Sequence, residues 1–208
     1  MRALICRAWG EIDTLEMGEM PAPEPGPGQV LIDVVATSAN FADTIMVAGR
    51  YQTKPEFPFA PGLEGAGRVA AVGADVTNIK PGDMVMAKLE HGGFAEQAVS
   101  SATETWPLFK GMTCADGAAF LVAYLSAHLA LRWQGRLEAR ETLLVLGAAG
   151  GSGLAAVEIG KAMGATVIAG ASSDERLAAV REHGADHVVN YSNEDLKTRV
   201  LEMTNGQG

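Results

Sequence analysis

The sequence predicts a two-part α/β protein: an all-β, barrel-like unit, then a parallel sheet built from βαβ units. Three observations predict it. Short apolar and β-branched runs, separated by proline- and glycine-bearing turns, fill the first half. Beyond about residue 115, strand-length apolar runs alternate with helix-length segments. Between two such elements, at residues 147–153, stands the run GAAGGSG. The expected division is therefore 1–116 and 117–208, with a mixed α/β fold class.

Bulk composition is compatible with that architecture. Of 208 residues, 48% are apolar and 20% charged, an ordinary soluble composition with ample material for a core. The net charge of −9 argues against a nucleic-acid or anionic-membrane surface, which needs a basic stripe. The apolar stretch AAFLVAYLSAHLAL (118–131) is too short to span a bilayer. The N-terminus MRALICRAWGEID lacks a sustained apolar segment of signal-peptide type. The two cysteines, Cys6 and Cys114, have no metal-type spacing, so a reducing cytoplasm is the expected setting.

The elements follow in order. PAPEPGPG (21–28) is a loop, because proline cannot donate to a β-ladder. VLIDVVA (30–36) is a β-branched strand, and RVAAVG, DMVMAKL and FAEQAVS are further strands separated by Pro81-Gly82-Asp83 and His91-Gly92-Gly93. Met84 and Met86 read as strand packing. ADGAAFLVAYLSAHLALRW (115–133) reads as one long apolar helix, with His128 as a satisfied core histidine. ETLLVLG, ATVIAGA and HVVNY then read as strands. GLAAVEIGKAMG, DERLAAVREHG and NEDLKTRVLEMT read as the helices between and after them, the first two closed by Gly164 and Gly184. A doubly wound fold needs two βαβαβ halves, and one is present. The sequence is thus expected to be the N-terminal part of something longer, with weak cofactor binding and little or no turnover by itself.

The glycine run has a physical purpose. A strand ending at Gly147, a turn through Ala148, Ala149, Gly150, Gly151, Ser152 and Gly153, and a helix from there form the geometry that seats a pyrophosphate. N–H groups at the helix start lack partners, and the helix dipole favours negative charge. Gly150 lets the backbone approach a ligand; Gly153 lets the helix pack on the strand. The alternative is a tight strand–helix turn that binds nothing. NAD sites place an acid about 20 residues further on, for the ribose 2′-hydroxyl. Here the second strand ends Gly170-Ala171-Ser172-Ser173, with Arg176 following and Tyr191 closing the next strand. Hydroxyls and a guanidinium suit a 2′-phosphate, so the expected cofactor is NADP(H). Ser172 with Glu175 also reads as a capping box, and Asp174 and Glu175 add negative charge nearby.

Several segments together resemble the zinc-independent, zeta-crystallin-like NADPH:quinone oxidoreductases of the medium-chain dehydrogenase/reductase superfamily. They are ANFADTIMVAGRY (39–51), FAPGLEGAGRVAAVG (59–73), KPGDMVMA (80–87), GRLEARETLLVLGAAGGSGLAAVEIGKAMGA, ASSDERL and HGADHVVNY. The resemblance implies a GroES-like β-barrel domain, the first half of a Rossmann dinucleotide-binding domain, and an active site in the cleft between them. It also implies a homodimer for the full-length family member. Zinc-dependent relatives carry a cysteine where this chain has Asn40 and a histidine where it has Leu63. A further ligand cysteine would fall near 120–122, which reads Phe-Leu-Val. The structural zinc lobe is absent too. Without thiolate or imidazole a tetrahedral zinc site cannot be built, so no metal is expected.

What remains is hydride delivery to an electron-poor acceptor. Asn40 and Tyr51 are the candidate catalytic residues. Asn40 stands at the former ligand position and contacts substrate or nicotinamide, or else caps the helix starting at Phe41. Tyr51 matches a tyrosine of relatives that lies near substrate and donates a proton, or else is a half-buried loop aromatic. Ile45 replaces a second tyrosine common in quinone reductases. Asp43 reads as a first-turn acid favourable to the helix dipole, Ser152 as a tolerated hydroxyl near the pyrophosphate, and Glu64 as a structural hydrogen-bonding residue. The leading expectation is an NADPH:quinone oxidoreductase acting on a small quinone or enone. The alternatives are an enoyl-thioester or alkenal double-bond reductase, and a nucleotide-binding or structural protein with little turnover.

Overall fold

The computed structural model describes residues 1–208 and divides into two compact units, Met1–Val122 and Ala123–Gly208. No helix is long and apolar enough to cross a membrane.

The first unit is built on antiparallel strands. β1 (Arg2–Ile5) pairs with β2 (Glu16–Glu19), and bridges Ala3–Ala95 and Cys6–Phe59 join β1 to the rest. The main sheet contains β3 (Gln29–Thr37), β4 (Glu64–Val72), β5 (Met84–Lys88), β6 (Gln97–Ser101) and β7 (Thr105–Pro107), in the order β6-β3-β4-β5-β7. Alternation makes the core: Val30 and Ile32 of β3 point inward with Val69, Val85, Ala87 and Ala98. The sheet curls. The hydroxyl of Ser100 on β6 donates to the carbonyl of Lys88 on β5 at 2.9 Å, although β3 and β4 lie between those strands in the ladder. Between β3 and β4 runs α1 (Phe41–Val47).

The helix expected over 115–133 is not continuous. It is three pieces: α2 (Cys114–Ala118), α3 (Leu121–His128) and a π-helical turn, Leu129–Gln134. Thr113 and Asp116 cap the start of α2, and Ala119 leaves helical geometry at φ −104, ψ 7. The N–H of Val122 is then taken by the carboxylate of Glu64, so α3 starts on a long-range acceptor rather than on the preceding turn. The first compact unit runs on to Val122, past residue 116. α2 packs into the first unit, where a Cβ on Gly117 would stand 2.4 Å from Leu108 and 3.3 Å from Met86. His128 is exposed, which corrects its reading as a core histidine; of α3's own residues it is Leu121 and Ala127 that are buried.

The second unit holds a parallel sheet in the order β10-β9-β8, made of β8 (Thr142–Leu146), β9 (Thr166–Ala171) and β10 (His187–Asn190). The crossovers are α4 (Gly151–Ala162) and α5 (Asp174–Glu182), and α6 (Leu196–Met203) follows β10. Gly164 and Gly184 follow α4 and α5 at φ +85 and +104, as expected for left-handed helix ends. Val145, Val157, Val167, Ala169 and Val180 form its core. The strand order 3-2-1 is that of the first half of a doubly wound fold.

Candidate functional site

The site residues fall into two groups, one within each unit. In the first unit, Asn40 occupies the N-cap of α1, with extended backbone at φ −109, ψ 153. Asp43, in the first turn, reaches back: its Oδ2 accepts the Asn40 N–H at 2.7 Å. Its Oδ1 accepts the N–H of Gly62 at 3.2 Å. Asp43 is thus a first-turn acid as expected, but also a buried tie between α1 and the loop entering β4. Burial pushes its carboxyl above the ordinary range and nearby Glu64 adds to this, while the backbone donors of Asn40 and Gly62 oppose. Gly62 cannot be replaced without moving backbone, since a Cβ there would sit 2.6 Å from Gly93 Cα at φ +106.

The side chain of Asn40 is turned toward Glu64. Its Nδ2 donates to Glu64 Oε1 and to Ser38 Oγ, both at 2.9 Å. Ser38 donates in turn to Glu64 Oε1, and Val122 N–H donates to Glu64 Oε2 at 2.9 Å. Glu64 is 1% exposed. The hydrogen-bonding reading of Glu64 is thus given partners, which the sequence did not supply. Ser38 and the Val122 backbone are distant in the chain, and neither carries a motif.

Leu63, beside Glu64, is 6% exposed in an apolar cluster with Cys6, Met46, Val47 and Phe59. Tyr51 and Val122 pack against the same cluster. Tyr51 is half-buried. No group of three or more His, Cys, Asp or Glu side chains is arranged so that it could hold a metal ion.

In the second unit the glycine turn is built as a strand–turn–helix. Gly147 takes φ +63, and Gly150 is the N-cap of α4. The turn's roles separate once its hydrogen bonds are assigned. Ala148 is fully buried and its N–H donates to the Gly170 carbonyl at 3.0 Å, so it extends the β8–β9 pairing and offers no donor to a ligand. The Gly150 N–H is likewise used, on the Gly147 carbonyl. Leu154 N–H makes the first bond inside α4, to Gly150 O at 2.8 Å. The N–H groups of Gly151, Ser152 and Gly153 precede it and have no acceptor within the helix. Gly151 and Ser152 are exposed, and a Cβ on Gly151 would meet nothing within 4 Å. A Cβ on Gly153 would stand 2.3 Å from Gly147 O and 2.8 Å from Ala148 Cα, which is the close helix–strand approach expected there. An open, donor-bearing helix start fits a pyrophosphate.

One strand further on, the expected capping residue is displaced by one position. Ser173, not Ser172, caps α5: its Oγ accepts the Arg176 N–H at 3.4 Å, three residues on, so no Ser172–Glu175 box forms. Ser172 is exposed, and its hydroxyl accepts from the Arg176 guanidinium at 3.4 Å. The Ser172 carbonyl accepts the Ser192 hydroxyl at 2.9 Å. Tyr191 lies against Gly170, where a Cβ would be 3.3 Å from its ring. Asp174 is held by the side-chain amide of buried Asn190 at 2.9 Å. Ser172, Arg176 and Tyr191 thus gather at the carboxyl ends of β9 and β10, where α/β sheets bind ligands.

The two units match known domains. Residues 26–128 match the alcohol dehydrogenase GroES-like domain, and residues 151–208 match the zinc-binding dehydrogenase domain. The quinone oxidoreductase-like protein 2 homolog of Nematostella vectensis is 35% identical over 208 residues, covering 100% of this chain and 57% of that protein. The crystal structure of a probable oxidoreductase from Mycobacterium abscessus aligns with a TM-score of 0.92 at 38% identity, covering 100% of this chain and 67% of that one. Escherichia coli quinone oxidoreductase complexed with NADPH aligns with a TM-score of 0.91 at 29% identity, covering 100% and 64%. The chain spans somewhat more than half the length of the curated relatives it matches. By domain content and by likeness along its whole length, the chain belongs to the quinone oxidoreductase group of the medium-chain dehydrogenase/reductase superfamily.

Proposed function

We propose that this chain carries the cofactor turn and the acceptor-side residues of an NADPH-dependent, metal-independent reductase of quinones or similar electron-poor acceptors. One observation carries the reading. The acceptor-free N–H groups of Gly151, Ser152 and Gly153 open α4, and the Ser172–Arg176 pair stands at the end of the next strand. The first group suits a pyrophosphate and the second a 2′-phosphate. The E. coli relative, complexed with NADPH in its crystal structure, is in keeping with this.

When bound, NADPH supplies a hydride to the acceptor. The chain's own residues bind, orient and protonate. Gly151–Gly153 hold the pyrophosphate by backbone N–H. Arg176 and Ser172 favour the phosphorylated ribose, with Tyr191 beside them, while Ser173 is occupied as a helix cap. Asn40 orients the acceptor or the nicotinamide by its amide. Tyr51 supplies the proton that a quinone takes up with the hydride. Where zinc relatives offer thiolate and imidazole, this chain offers a neutral amide and the buried side chain of Leu63. That donor set does not hold zinc, so carbonyl polarisation by a metal is not available and the acceptor must already be electron-poor. Two unpaired cysteines, Cys6 and Cys114, suit a reducing cytoplasm.

Steady-state rates of the full-length protein with NADPH and NADH, on 1,4-naphthoquinone and on crotonyl-CoA, test the reading. It expects NADPH and the naphthoquinone to be preferred. A strong preference for the thioester would replace it with an enoyl reductase.

A further inference from the structure

Glu64 is the most deeply buried acid of the chain, and none of the protein's ion pairs includes it. A buried carboxylate without a cation must be held by hydrogen-bond donors. Three converge on it. Ser38 Oγ and Asn40 Nδ2 address Oε1, and Val122 N–H addresses Oε2. All three are neutral.

The geometry restricts Asn40. Its two side-chain acceptors, Ser38 Oγ and Glu64 Oε1, are hydrogen-bonded to each other and so lie on one side of the amide nitrogen. Ser38 serves both, donating its one O–H to Glu64 and accepting from Asn40. The Asn40 backbone N–H is meanwhile held by Asp43 at 2.7 Å. Gripped at backbone and side chain, the amide is fixed with its nitrogen toward Glu64. The two oxygens of the Glu64 carboxyl accept from all three donors. A neutral amide at 64 would have to turn its own NH₂ toward Val122 N–H or toward the Ser38–Asn40 pair, donor against donor.

We propose that Glu64, together with Ser38, is a positioning residue that fixes the orientation of the Asn40 side-chain amide and ties it to the first turn of α3. Its kinetic consequence rests on the role given above to Asn40; the fixed orientation itself does not.

Side-chain amide hydrogen exchange and steady-state kinetics on the same preparations of the full-length protein test it. In the native protein the Asn40 NH₂ protons exchange slowly. Glu64→Gln and Ser38→Ala each speed that exchange about tenfold, the worth of one lost hydrogen bond. Both lower kcat by about tenfold or more through misplacement, while KM for NADPH stays within about twofold. Ser38→Ala keeps the buried carboxylate and covers the case in which Glu64→Gln does not fold. Native Asn40 protons exchanging as fast as surface amides would overturn the proposal, whatever the activity. So would variants that free the amide yet keep kcat. If the native amide is locked but no acceptor is reduced with NADPH, the functional reading fails while the exchange data still decide the orientation.

Discussion

The side-chain amide of Asn40 stands 2.9 Å from Glu64 Oε1, joining residues 24 apart in the sequence. The same carboxylate holds the start of α3, 58 residues further on. A buried acid with three donors is costly to remove, because each donor loses its acceptor. Glu64→Leu is expected to destabilise the first unit by about 3 kcal/mol, read as a lower urea midpoint. A loss below about 1 kcal/mol would mean that water or a rearranged neighbour takes over the donors.

Two aspartates are expected to titrate stability in opposite directions. Burial raises the Asp43 carboxyl above its ordinary 3.8, so its contribution is fully present below pH 3.8 and is lost as pH rises through the folded value. The stability gap between native protein and Asp43→Asn should therefore move against the native protein from acid to neutral pH. At Asp186, burial raises the carboxyl, but the Lys161 ammonium at 2.7 Å and the Val167 N–H outweigh it, and the net shift is downward. Its contribution is present above pH 3.8 and is lost as pH falls through the folded value. The gap between native protein and Asp186→Asn should grow from acid to neutral pH. Urea unfolding at a series of pH values reads both, and parallel trends would contradict the assignment.

The glycine turn separates fold from binding. Gly153→Ala places a Cβ 2.3 Å from a backbone carbonyl, so about 3 kcal/mol or more of stability should be lost with cofactor binding. Gly151→Ala meets nothing in the chain and replaces glycine in a helix, so stability should hold or rise by up to about 1 kcal/mol. NADPH affinity should nevertheless fall about tenfold, because the methyl occupies space a pyrophosphate needs. Thermal unfolding beside NADPH fluorescence titration distinguishes the two. Unchanged affinity in Gly151→Ala would remove the phosphate from this turn.

Arg176→Met is expected to weaken NADPH about tenfold while leaving NADH nearly unchanged, because only the phosphorylated ribose uses the guanidinium. Equal losses for both cofactors would place Arg176 in α5 stability instead. Ser173→Ala should weaken α5 by about 1 kcal/mol without altering cofactor preference.

Much of the architecture is legible in the sequence. Apolar alternation in VLIDVVA, the turn prolines and glycines, and the strand–helix rhythm after residue 141 are local signals, and the elements they predict are the elements found. The close approach at Gly153 was legible for the same reason. One residue separated expectation from structure at the α5 cap: Ser172 and Ser173 are chemically alike, and only the backbone angle at Ser173, φ −152, ψ 153, chooses between them.

Local sequence was enough for the order of elements, the glycine turn and the hydroxyl–guanidinium cluster after β9. Long-range packing set the rest. It broke the apolar segment 115–133, because an acceptor on β4 captured the Val122 N–H and started a new helix there. It left His128 exposed, because an apolar run has no strong face to predict which side is buried. And it made Glu64 the centre of the Asn40 site. Propensity and spacing act over a few residues, whereas the partners of a buried carboxylate are chosen by which strands and loops the fold brings within about 3 Å of it.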